Sequence, residues 1–96
     1  MKYEITTAFF RQALAQEKPL RKALGKLIGL VEQHSLLELT KHKGAHLEKV
    51  EGLFDPHSGN PIYSLRITLS ARATAIVRDG ALVFLSVHPD HDGAYN

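Results

Sequence analysis

Two adjacent residues, Asp79-Gly80, constrain this chain more than any others. An Asp-Gly pair between two β-favouring runs marks a two-residue hairpin, because the matching turn needs positive φ at both central positions and glycine adopts it without steric cost. Residues 72 to 78 and 81 to 87 are therefore read as paired strands. The turn sets their register: Val77 opposite Leu82 and Ala75 opposite Phe84 on one face, Ile76 opposite Val83 and Thr74 opposite Leu85 on the other.

Upstream, Tyr63, Leu65, Ile67 and Leu69 alternate with Ser64, Arg66 and Thr68, the period of a strand with one apolar and one polar face. Two connections to the next strand are possible. A two-residue loop at Ser70-Ala71 puts Arg66 and Arg72 on opposite faces and buries Arg72 among apolar residues. A loop of residues 69 to 71 pairs Thr68 with Arg72 and Arg66 with Thr74. Unpaired buried charge is costly, so the second is preferred. It gathers Leu65, Ile67, Ala73, Ala75, Val77, Leu82 and Phe84 on one face, and Ser64, Arg66, Thr68, Arg72 and Thr74 on the other. By the same alternation His88 falls on the apolar parity and reads as a structural residue.

The N-terminal half supplies the cover for the apolar face. Residues 2 to 6 alternate as a short strand, and Thr6 or Thr7 can cap a helix over residues 8 to 15. Pro19 suits the first turn of a second helix, in which Leu20, Ala23, Leu24, Leu27, Ile28 and Val31 recur at helical spacing. After His34 the pattern loosens into a loop at residues 41 to 44 and a further strand at 46 to 50, and residues 55 to 61 form an exposed turn. The expected architecture is one α+β domain in the order β-α-α-β-β-β-β, with two N-terminal helices on one face of a mostly antiparallel sheet. Its 96 residues suffice for a single core. Function is expected on the other face.

With no cysteine, disulfide and thiolate chemistry are excluded, in keeping with a reducing compartment. No apolar run approaches the roughly 20 residues of a membrane span, and no secretory leader is evident, so a soluble cytoplasmic protein is expected. Residues 1 to 50 carry nine Lys/Arg against five Asp/Glu, an asymmetry that favours an anionic partner. The densest metal candidate, His88-Pro-Asp-His91-Asp92, lacks a spacing that makes its ligands converge, so no metal or other cofactor is expected.

In order along the chain, Leu47-Glu-Lys-Val-Glu-Gly52, Tyr63-Ser-Leu-Arg-Ile67, Arg72-Ala73, the hairpin, Leu85-Ser-Val-His88 and His91-Asp-Gly-Ala-Tyr95 resemble the RelE/ParE superfamily of bacterial toxins. The resemblance implies a RelE-like fold and a small endoribonuclease that cuts mRNA on the ribosome and inhibits translation, silenced by a cognate antitoxin. It matches Arg66, Arg72 and Tyr95 to functional positions, places His91 where other members carry a basic or imidazole group, and marks Lys49 and Ser64 as substrate-binding positions. Ser64 replaces a lysine of some active members. Two alternatives stay open: a non-nucleolytic inhibitor of a protein target such as DNA gyrase, and a degenerate member that binds its antitoxin without toxicity.

The chemistry of RNA cleavage gives these side chains roles. A ribose 2′-OH must lose a proton, the attacked phosphorus must carry extra negative charge, and the departing 5′-oxygen must gain a proton. Arg66 and Arg72 suit the second task, since guanidinium stays charged and offers parallel donors to phosphate oxygens. His91 suits proton transfer near neutral pH, with Tyr95 positioning the substrate or sharing that role. Arg72 can instead pair with a carboxylate such as Asp92. An acidic, amphipathic antitoxin segment is expected to cover this face.

Overall fold

A computed structural model describes residues 1–90. The elements run β1 (Lys2–Ile5), α1 (Thr7–Leu14), α2 (Lys18–Gln33), α3 (Leu36–Lys41), β2 (Glu48–Phe54), β3 (Pro61–Arg66), β4 (Arg72–Arg78) and β5 (Ala81–His88). The five strands form one sheet in the order β1-β5-β4-β3-β2. Neighbours are antiparallel except β1, which runs parallel to β5. The expected α+β architecture is present, with one helix more than the apolar periodicity indicates.

Local chemistry sets the helix ends. Thr6 caps α1, its hydroxyl accepting from the Phe9 N–H at 3.2 Å while donating to the Phe84 carbonyl at 2.8 Å, so one side chain starts the helix and ties it to β5. Pro19 sits in the first turn of α2. The unforeseen α3 opens on a reciprocal cap: Ser35 Oγ accepts from the Glu38 N–H, and Glu38 accepts from the Ser35 N–H. Its Leu39 is fully buried, which anchors this short helix.

Phe9, Leu24, Leu27 and Val31 from the helices pack on Leu65, Ala73, Ala75, Leu82, Phe84 and Val87 from the sheet. The Phe9 and Phe84 rings lie 5.1 Å apart. Burying a side chain of this size contributes about 1.5–3 kcal/mol, so the apolar face holds the two layers together. All the residues assigned to that face are in this core or packed against it.

Asp79 and Gly80 have φ of 52° and 78°, and the hairpin pairs Arg78 with Ala81 as expected. Two register expectations need correction. Arg66 lies opposite Arg72, not Thr74, because the chain leaves the sheet after Arg66 and the Ile67 N–H closes a longer loop onto the Ala71 carbonyl. The shift is two residues, so each side chain keeps its face. Thr74 lies opposite Ser86, not Leu85, because a bulge makes Leu85 an extra residue between Phe84 and Ser86. Beyond Phe84, where β1 has ended, the Val87 N–H donates to Gln12 Oε1 at 2.6 Å.

Candidate active site on the sheet

Residues opposite one another in a sheet share a face, so β3, β4 and β5 present two polar rows away from the helices. One is Ser64, Thr74, Ser86; the other is Arg66, Arg72, His88. At a strand spacing of about 4.8 Å, the Cα atoms of Arg66 and His88 stand about 10 Å apart with Arg72 between them.

The bulge completes both rows. Phe84 faces the core, and if Leu85 were paired in an unbroken ladder Ser86 and His88 would face it too. With Leu85 left unpaired in the bulge, Val87 is turned inward and buried, while Ser86 and His88 are on the arginine face. The reading of His88 as a core residue is therefore corrected. The sequence holds a trace of this: Phe84 and Leu85 are consecutive apolar residues, after which Val87 alternates in the opposite phase.

Thr74 Oγ1 is hydrogen-bonded to Ser86 Oγ, which in turn meets His88 Nε2 at 2.8 Å. This hydroxyl pair orients the ring. Burial pushes the imidazole below its ordinary pKa, because charge is poorly solvated there. The shift favours the neutral imidazole.

The two arginines are placed differently. Arg72 is 7% exposed, and its Nη1 donates to the carbonyls of Thr68 at 2.8 Å, Leu69 at 3.1 Å and Ala71 at 2.9 Å. Those bonds offset the cost of setting two like charges directly opposite. Arg66 is half-buried at the end of β3, and its Nε is buried with no hydrogen-bond partner among the described residues. Such a donor is costly to leave unpaired and suits an anionic ligand.

Ser64 joins its row between Glu48 and Thr74 but is only 1% exposed, so it lies beneath the accessible surface. Lys49 lies opposite Tyr63, whose own partner Ala75 is in the core, and so belongs to the helix-side face. It is not brought to the arginines. Glu48 shares the arginine face at the sheet edge, with His46 Nε2 at 3.7 Å, and the sequence reading passed over it. His91, Asp92 and Tyr95 lie outside the described residues. Among the described residues no three His, Cys, Asp or Glu side chains gather as a metal site.

This arrangement of helices and sheet is found in solved structures. A chain of the RelB-RelE antitoxin-toxin complex from Methanococcus jannaschii matches with a TM-score of 0.67 at 13% identity, over 96% of this chain and 94% of that one. The fold is RelE-like. A copper-bound mutant toxin from Helicobacter pylori matches with a TM-score of 0.57 at 12% identity, over 97% of each chain. No protein-family model and no curated protein matches the sequence. The likeness lies in the arrangement of the chain, and in this RelE-like fold the Arg66, Arg72, His88 row crosses three central strands.

Proposed function

We propose that this chain is the toxin of a toxin-antitoxin pair and acts as an endoribonuclease on mRNA, on the ribosome, to inhibit translation. The observation that carries this reading is the row itself: an oriented imidazole and an arginine with a buried donor unpaired among the described residues, on either side of a clamped guanidinium. RNA supplies its own nucleophile. His88 takes the proton of the 2′-OH as that oxygen bonds to phosphorus, and Arg66 neutralises charge on the non-bridging oxygens. The bond to the 5′-oxygen then breaks, and that oxygen takes a proton from His91 or Tyr95. Lys49, on the other face of edge strand β2, meets the substrate only where RNA wraps that edge, and Ser64, beneath the surface, supports the row without touching RNA.

The RelE-like fold supports the toxin reading, since both structural neighbours are toxins or toxin-antitoxin complexes by name. A partner surface is also present. Ile5, Phe10 and Leu14 are exposed along an apolar groove of about 200 Å³ between α1 and α2, with Arg21 on its wall. Arg21 is the cation among its lining residues. Charge and apolar surface together suit an acidic amphipathic antitoxin segment. No described helix is long and apolar enough to cross a membrane, and an mRNA substrate would be met in the cytoplasm.

The test is induced expression of the wild type, Arg66→Ala, His88→Ala and Tyr95→Phe, with growth curves and primer extension on a translated message. Growth arrest with discrete cuts, weakened in each variant, is expected. Arrest with intact message would replace the nuclease by an inhibitor of a protein target; no arrest from folded protein would leave an antitoxin-binding member without toxicity.

A further inference from the structure

The loop 67–71 joins the two arginine-bearing strands, and Arg72 fixes the direction of its backbone. Across a planar trans peptide the N–H points opposite to the C=O. The carbonyls of Thr68 and Leu69 turn inward to Arg72 Nη1, so the N–H groups of Leu69 and Ser70 turn outward. The rest of the loop is closed on itself. The Ala71 N–H donates to Thr68 Oγ1 at 3.1 Å, and the Ala71 carbonyl accepts from the Ile67 and Thr68 N–H groups at 2.9 and 3.3 Å.

Neither outward N–H takes part in a hydrogen bond among the described residues, and Leu69 is 86% exposed. Two successive outward N–H groups of a turn present their positive ends to an anion. The charge behind them reinforces this. Among the described residues the partners of Arg72 are carbonyl oxygens and no carboxylate, so its positive charge is oriented but not neutralised. The loop contains no glycine and no residue of positive φ, so its shape follows from the arginine bonds and not from a permissive backbone.

We infer that loop 67–71 is a phosphate site, which takes the RNA phosphate next to the one at Arg66 through the N–H groups of Leu69 and Ser70. This rests on the nuclease reading for its substrate, though not for its chemistry. Arg72 is a positioning residue here: it aims the loop, and the peptide donors touch the anion.

The experiment is a titration of the isotope-labelled full chain with inorganic phosphate, against chloride at equal ionic strength, followed by proton-nitrogen spectra. The Leu69 and Ser70 amide protons move downfield and saturate, and in Arg72→Met the response is lost. Ser70→Pro, which removes one donor at an exposed position and leaves Arg72 intact, weakens binding of a 2′-O-methyl oligoribonucleotide about tenfold, as expected for one hydrogen bond to a charged group. Unmoved Leu69 and Ser70 resonances, or an undiminished response in folded Arg72→Met, would overturn the site. The two readings fail separately. Loop binding in a protein that leaves mRNA intact ends the nuclease reading alone, and cleavage with silent loop amides ends the loop site alone.

Discussion

At the scale of single residues, His88 and Arg72 each have a measurable cost. The folded state holds the His88 imidazole below its ordinary pKa, so in the window between the folded value and about 6.5 the unfolded chain binds more protons. Stability therefore rises with pH through that window and is lost as pH falls. His88→Gln removes this contribution, and chemical denaturation at about pH 7 and pH 5.5 should show a smaller acid-induced loss than in the wild type. Arg72→Ala strips three carbonyls of a charged donor and should cost about 2–3 kcal/mol in urea unfolding. That Arg66 and Arg72 share a face was legible because a two-residue error in register leaves side-chain parity untouched. His88 was not legible, since alternation alone cannot locate an extra residue in a strand.

The elements show the same division. β4 and the hairpin follow from Asp79-Gly80 because a turn needing two positive φ values admits few alternatives. α3 leaves little trace in the sequence beyond the reciprocal-cap spacing of Ser35 and Glu38, because six residues are too few to display an apolar period. The β3–β4 loop was misjudged by length because its stabilising partner is a side chain outside it, Arg72. Leu85 offers the clearest test at this scale. Deleting it should straighten β5 while leaving Ser86 and His88 on the arginine face and Val87 in the core, because the residues that remain alternate from Phe84 onward with their present partners. The expected result is a folded protein that still cuts, read by thermal unfolding and primer extension; loss of the cuts from a folded deletion variant would show that Leu85 does more than occupy the bulge.

As a whole, the molecule depends on one core beneath one sheet. Leu65 is fully buried on β3 between helices and strands, and Leu65→Ala should cost about 2–5 kcal/mol. Against a typical total of about 5–15 kcal/mol, that loss should bring the urea midpoint down sharply, with helix and sheet signals still falling together. The α+β arrangement was legible from element order, and its RelE-like form from the resemblance carried by the strand motifs. The parallel pairing of β1 was not, because four residues at the start of a chain carry no sign of which strand they will join.

That pairing governs when the site can form. β1 forms its ladder with β5, and α1 packs on β5 as well, so elements made early must wait for one made late. Until β5 has been synthesised, neither the helix layer nor the row that holds His88 has the strand it is built on. A nascent chain of this kind carries its arginines before it has a site to place them in.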